Sequence, residues 1–343
     1  MLIHIKNNSN KNINLGLQLL RMILSFFIVL IHCCNVKNKI LYILLFVKPF
    51  HVSSFFLISF YFYYNAILAR NIYKMKIRLL RILIPYMIWP LIFFIFNNSF
   101  YSCFGLSIYK NKLSFKDLII QIILGRKYHQ VFWFQFNLIF ITFLFTIISF
   151  LLKDNFLTIL QIIGIIAYYL QYSSLNYYWF IPYNYEIRHT LGQIVEMLPI
   201  GVTGLFLGSI NLLGKIEKNR NKSILFIIMF FLLILNVDIF IKPKGFLYPG
   251  ILLNIGAILL FSCFGILFID ISNSYLICFI SNITNYTGGV YYLHTVIRNI
   301  IINISLIKNR EYSGAIIIYI ICYLICLSGN KILGKTKLKY LFN

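Results

Sequence analysis

The stretch LGLQLLRMILSFFIVLIHCCN, residues 15–35, decides the fold class of this chain. It is long enough to cross the hydrocarbon layer of a membrane, which takes about 20 helical residues. A cleaved signal peptide avoids internal charge and ends in small residues, whereas this stretch contains an arginine and a histidine and ends in Cys33-Cys34-Asn35. We therefore predict that it is a retained first membrane span.

The composition of the whole chain supports a membrane protein. Of 343 residues, 60% are hydrophobic and only 11% are charged, whereas about a quarter of a soluble domain is charged. So few charges exclude a soluble enzyme, a disordered protein and a disulfide-rich secreted module. The net charge of +23 is better explained by loops that face anionic lipid headgroups than by nucleic-acid binding.

Apolar segments of spanning length recur along the chain, and they predict an all-α, polytopic transmembrane bundle of about ten spans. Residues 1–343 then form one membrane domain without a separate soluble domain. The predicted spans are 15–35, 49–68, 79–97, 132–152, 155–172, 190–209, 223–241, 249–269, 285–305 and 313–330. Seven cysteines are present without a CxxC pair, so we predict no metal site.

Basic residues in the loops indicate the orientation of the spans. They are modestly more frequent on the side that carries the N-terminus, and cytoplasmic loops are the ones that collect Lys and Arg. With ten spans, this predicts a multi-pass protein of the cell membrane with both termini in the cytoplasm.

Arg21 and His32 are the ionisable residues of the first span. Eleven steps of 100° bring them within about 20° of the same helix face, roughly 16 Å apart along the axis. One face therefore presents a fixed cation on the cytoplasmic side and a titratable base toward the outer side. A snorkelling arginine and an interfacial histidine would give the same spacing.

Two further arginines, Arg78 and Arg81, open the third span. They lie at i and i+3, which are neighbouring positions on a helix, and guanidinium groups suit phosphate oxygens. An ordinary positive-inside anchor is the competing explanation.

Several motifs together resemble the acyltransferase 3 family of integral-membrane acyltransferases. The Arg-x10-His spacing of the first helix is the signature of that family. The other similar stretches follow in family order: Phe55 to Ser59, Arg78-x-x-Arg81 with Ile84-Pro85-Tyr86, Phe132-Trp133-Phe134, Leu198-Pro199 to Leu207-Gly208, and Tyr291-Tyr292-Leu293-His294. Phe60 stands where the family usually has a glycine after the serine of the second helix, so that position is not expected to allow close packing.

The resemblance implies a stand-alone O-acyltransferase. Such an enzyme moves an acyl group, commonly acetyl, from cytoplasmic acyl-CoA, a co-substrate and not a bound cofactor, to a hydroxyl of a surface polysaccharide or glycolipid. Arg21, Arg78 and Arg81 are then expected to bind the donor phosphates. His32 is expected to be catalytic, either as the base that takes the acceptor proton or as a transient acyl-imidazole.

Glu196 and His294 are weaker candidates for a supporting role. Glu196 could orient His32 or bond a sugar hydroxyl, and a polar pair between helices explains it equally well. For His294, tight packing or hydrogen bonding is the default expectation. The alternative function is a transporter or flippase of an envelope glycolipid, against which the chain shows no paired broken helices in corresponding halves.

Overall fold

The computed structural model describes residues 15–33, 39–104, 109, 112–129, 131–172, 185–219, 224, 251–267, 274–303 and 311–342. In these ranges all regular structure is helical, which confirms the predicted fold class. The helices are α1 Leu15–Cys33, α2 Lys39–Leu68, α3 Ile72–Phe104, α4 Phe115–Leu124, α5 Phe132–Leu152, α6 Phe156–Tyr172, α7 Tyr185–Ser209, α8 Leu212–Lys218, α9 Ile251–Leu267, α10 Ser274–Thr284, α11 Thr287–Asn303 and α12 Glu311–Leu333, with short 3-10 helices at Lys153–Asn155 and Lys337–Leu341.

Nine of the ten predicted spans coincide with a helix, and the tenth, 223–241, lies outside the described residues apart from residue 224. Five described stretches are long and apolar enough to cross a membrane. They are Leu15–Cys33, Ile72–Ser99, Phe132–Leu170, Thr190–Ser209 and Ser313–Leu333, and the third of these contains both α5 and α6. A membrane protein is therefore indicated, while the count of ten spans is not confirmed.

Helix α1 is the centre of the bundle. It contacts α2 on one side and α9, α10, α11 and α12 on the others. Its apolar residues divide between two hydrophobic cores, Leu17, Leu20 and Leu24 in one, Val29 and Leu30 in the other. The first core is built with α2, α3, α5, α6, α7 and α9, and the second with α3, α5, α11 and α12. The face of α1 that carries Arg21 and His32 is thus held between packed helices.

Helices α2 and α7 approach each other so closely that only glycine fits at one contact. A Cβ atom added to Gly204 would lie 2.7 Å from the Leu57 carbonyl oxygen and 3.0 Å from Phe60 Cβ. Small residues allow such approaches in membrane bundles. The close packing that was not expected at Phe60 is therefore achieved, with the glycine supplied by α7 instead of α2.

A short segment after α12, Lys337–Phe342, packs into the second core. Leu341 and Phe342 are buried, and the Trp89 indole N–H donates to the Leu341 carbonyl oxygen at 3.0 Å. The Phe342 ring meets the Trp89 ring edge to face at 5.9 Å. This segment therefore closes the bundle between α3, α11 and α12.

Replacing Gly204 by alanine tests the close contact of α2 with α7. We expect Gly204→Ala to destabilise the purified protein by about 1–3 kcal/mol, because the added methyl must displace backbone, and to lower the melting temperature in detergent. Gly164→Ala is the matched control, since its added methyl would meet Val202 at 3.4–3.5 Å, an ordinary contact distance. Equal melting temperatures for the two variants would contradict the close approach.

Candidate active site

Both ionisable residues of α1 contact α11. An Arg21 Nη2–H donates to Thr287 Oγ1 at 3.5 Å, and the His32 ring lies 5.0 Å from the His294 ring between centroids. The two contacts follow each other in the same order along both helices, so α1 and α11 run in the same direction here. The predicted shared face of Arg21 and His32 is thus the face that packs on α11.

His294 is held by its own helix. Its Nδ1 lies 2.7 Å from the Tyr291 carbonyl oxygen and 3.3 Å from that of Val290. A carbonyl oxygen can only accept, so Nδ1 carries the proton in the neutral ring and Nε2 carries the lone pair. The His294 side chain is fully buried, and Nε2 has no hydrogen-bond partner in the described structure.

A third histidine, His129, joins this group from the loop between α4 and α5. Its side chain is buried, and its ring lies edge-on to Phe93 and Phe132 at 4.9 Å and 4.8 Å. Nε2 donates to the Tyr292 carbonyl oxygen at 3.0 Å, and Thr295 Oγ1 donates to Nδ1 at 3.1 Å. Both ring nitrogens of His129 are therefore satisfied by α11.

The local sequence explains how the loop places His129. A capping box of Ser114 and Asp117 begins α4, and Gly125 in the left-handed region ends it. The buried Gln121 side chain then accepts from the His129 backbone N–H at 3.0 Å and donates to the His129 carbonyl oxygen at 3.2 Å. His129 could not be identified from the sequence, because a loop residue has no helical periodicity to indicate which way it faces.

Arg78 and Arg81 have different surroundings. The Arg78 guanidinium donates to the Ser59 carbonyl oxygen at 3.0 Å and to Ser59 Oγ at 2.8 Å, and it stacks 4.3 Å above the Tyr63 ring. Arg81 is exposed and lies 5.7 Å from the Tyr340 ring in the 3-10 helix Lys337–Leu341. The structure therefore ties Arg78 to α2 and leaves Arg81 at the surface beside a lysine-rich segment.

Carboxylate partners are scarce around these cations. Among the described residues the one ion pair is Arg70–Asp154, at 3.9 Å. Arg21, Arg78 and Arg81 thus have no carboxylate within ion-pair distance in the described part of the chain. Glu196 is half-buried on α7, and within the same ranges no hydrogen bond or ion pair joins it to His32. Its predicted supporting role stays a prediction.

A metal centre is not indicated by the side chains that the structure describes. Among them, no three His, Cys, Asp or Glu residues are grouped so that they could hold a metal ion. Although three histidines meet here, His129 already has both ring nitrogens bonded, and Nδ1 of His294 is bonded to its own helix. This arrangement suits proton transfer or nucleophilic chemistry at His32.

The acyltransferase 3 family, described as an acyltransferase domain, matches residues 14–330 of the chain. The protein therefore belongs to this family of membrane acyltransferases and is an acyltransferase enzyme. Comparison with curated proteins and with solved structures gives no match.

The buried state of His129 predicts how stability depends on pH. Burial lowers the pKa of His129 from 6.5 to about 3, and the nearby His32 lowers this pKa as well, against the opposing effect of the Tyr292 carbonyl. Between these two pH values the unfolded chain binds a proton at His129 that the folded protein does not. Lowering the pH from about 6.5 toward 3 therefore favours unfolding.

We expect His129→Gln to weaken this acid sensitivity by up to about 1.4 kcal/mol per pH unit. The glutamine amide can replace Nε2 as donor to Tyr292 but does not titrate. Thermal unfolding of wild type and variant in detergent between pH 7 and pH 4 measures the effect. Parallel curves for wild type and variant would show that His129 is not the source.

Proposed function

We propose that the protein transfers an acyl group, acetyl in the commonest case, from cytoplasmic acyl-CoA to a hydroxyl of a surface polysaccharide or glycolipid. Family membership supports the reaction class. The choice of donor and acceptor follows the family resemblance, and the arginines and histidines around α1 are consistent with it. The proposed setting is the cell membrane, with both termini in the cytoplasm.

The observation that carries the proposal is the contrast between the two ends of the Arg21–His32 face. At one end Arg21 is half-buried and bonded to a neutral threonine, without a carboxylate among the described residues. A guanidinium in an apolar layer is costly unless an anion or another polar partner accompanies it. At the other end, His32 lies against a buried histidine. This difference between the two ends fits an anionic acyl donor bound near Arg21 and a reaction near His32 in which a base takes a proton.

The arginines are proposed to bind the phosphates of the donor. Arg21 and Arg78 belong to the interior of the bundle, and Arg81 stands at its surface, so the three could contact an extended molecule along its length. The Arg78 Nε–H is buried without a partner in the described structure, which leaves a donor for an anionic oxygen.

His32 is proposed to act on the acceptor hydroxyl. A hydroxyl is a weak nucleophile at neutral pH and gains from a base that takes its proton as it attacks. The His32 side chain is exposed, in contrast to His129 and His294, so it is the member of the histidine group that substrate can reach. An acyl-imidazole on His32 is the second chemical route.

Replacing His32 tests the catalytic assignment. We expect His32→Ala to reduce acyl transfer by about 10²–10⁴-fold, which is the usual contribution of a positioned base. Transfer of radiolabelled acetyl from acetyl-CoA to membranes of the source cell measures this effect. Cys33→Ala, at the next position of α1, is the matched control and should keep its activity; wild-type activity in His32→Ala would exclude the role.

Arg81 offers the cleanest test of donor binding, because it is exposed and does not hold α2. We expect Arg81→Ala to raise the KM for acetyl-CoA by about tenfold or more, since a charge-assisted hydrogen bond contributes roughly 1.5–3 kcal/mol. Lys76→Ala removes the same charge from an exposed position of the same helix. If both variants shift KM equally, general charge and not a phosphate contact is responsible.

A transporter or flippase of an envelope glycolipid is the alternative function. Mass spectrometry of envelope sugars from wild-type and deletion strains distinguishes the two, when acylation and export are measured separately. Loss of an ester mass with export intact supports the acyltransferase. Loss of export with acylation intact supports the transporter.

A further inference from the structure

We propose that His294 is a positioning residue for His32: in the reacting complex its Nε2, which has no partner in the described structure, accepts an N–H of His32 and so fixes which His32 nitrogen acts as the base. This inference deepens the proposed acyl transfer and rests on it. It is carried by the one ring nitrogen in the histidine group that is buried and unpartnered in the described structure.

The geometry prepares His294 for this role. The Nδ1–H bond to the Tyr291 carbonyl oxygen at 2.7 Å fixes the tautomer and turns Nε2 to the ring edge that is farther from the α11 backbone. The His32 and His294 rings lie 5.0 Å apart between centroids, with 42° between their planes, so a rotation of the exposed His32 ring would bring one of its N–H groups to hydrogen-bond distance of Nε2. A lone pair is thus available beside the proposed base.

His129 shows what a purely structural histidine looks like in the same core. It is equally buried, but both of its nitrogens are bonded, one to the Tyr292 carbonyl and one to Thr295. Leaving a buried acceptor unsatisfied costs free energy. His294 carries such an atom although the same helix satisfies His129 completely, so a function for its Nε2 is the natural explanation.

The full burial of His294 means that it acts through His32 and does not contact the substrate. In the base-catalysed route the acceptor O–H bond breaks as its oxygen forms a bond to the acyl carbon, and the proton moves to the other ring nitrogen of His32. The carbon–sulfur bond then breaks, and His32 gives that proton to the departing thiolate as CoA thiol. Throughout, His294 stays neutral and stabilises the transient His32 imidazolium through its accepted N–H.

Two substitutions at position 294 separate positioning from packing. In His294→Asn, the amide can keep the bond to Tyr291 in place of Nδ1, but nothing remains at the position of Nε2. In His294→Gln, the longer side chain loses the Tyr291 bond and brings an amide oxygen to the position of Nε2, where it can accept from His32. A positioning role predicts higher activity in the Gln variant, and a packing role predicts higher activity in the Asn variant.

The measurement is thiol release from acetyl-CoA by purified protein, with membranes of the source cell as acceptor, together with the melting temperature in detergent. We expect His294→Asn to lower kcat by about 10–100-fold with little change in the KM for acetyl-CoA, and His294→Gln to recover much of that loss. The same pair of substitutions at His129 is the control. Both should change the melting temperature, but the Gln variant should not have a higher kcat than the Asn variant.

The possible failures are distinguishable. If the wild type releases no thiol and acylates nothing, the proposed function itself is wrong. If the wild type is active and His294→Asn has a kcat equal to or above that of His294→Gln, the positioning role is overturned. Loss of folded protein in both variants would likewise assign His294 to packing.

Discussion

The constraint on which this structure depends is the cost of placing a half-buried arginine and an exposed histidine on one face of a helix in an apolar bundle. Helix α1 carries both groups, and each is accommodated by α11, through Thr287 and His294. Because the two contacts follow the same order along α1 and α11, the helices run in the same direction here, and the contacts fix their register over eleven residues of α1. The surrounding helices α2, α9, α10 and α12 then enclose α1 and hold this register.

Much of the fold could be predicted from hydropathy, because length and apolar content decide which helices can cross a membrane. The predicted span 132–152 has the bounds of α5, whereas α3 begins at Ile72 and ends at Phe104 instead of covering 79–97. The difference arises because polar residues such as Lys74, Asn97 and Asn98 end a hydropathy window without ending a helix. Backbone hydrogen bonding continues past them, because Lys74 is exposed while Asn97 accepts from the Tyr109 backbone N–H and Asn98 bonds the Leu113 backbone.

Only part of the site could be predicted, because helical spacing indicates which residues share a face but not which residues that face contacts. Arg21 and His32 could be placed together by the 100° rotation per residue. Their neighbours could not: His294 lies 262 positions after His32, and His129 sits in a loop. The family resemblance had already marked His294, but its contact with His32 and its unbonded Nε2 are visible only in three dimensions.

The buried segment Lys337–Phe342 has a consequence for how the protein is made. The Trp89 indole N–H donates to the Leu341 carbonyl oxygen, although about 250 residues separate the two in the chain. Gly289 and Gly329 lie against Phe342. Membrane helices are inserted in the order of synthesis, so α3, α11 and α12 reach the bilayer before this segment emerges from the ribosome. The second core can therefore assemble fully only after translation has passed residue 342, and until then its aromatic residues remain open to lipid or to a chaperone.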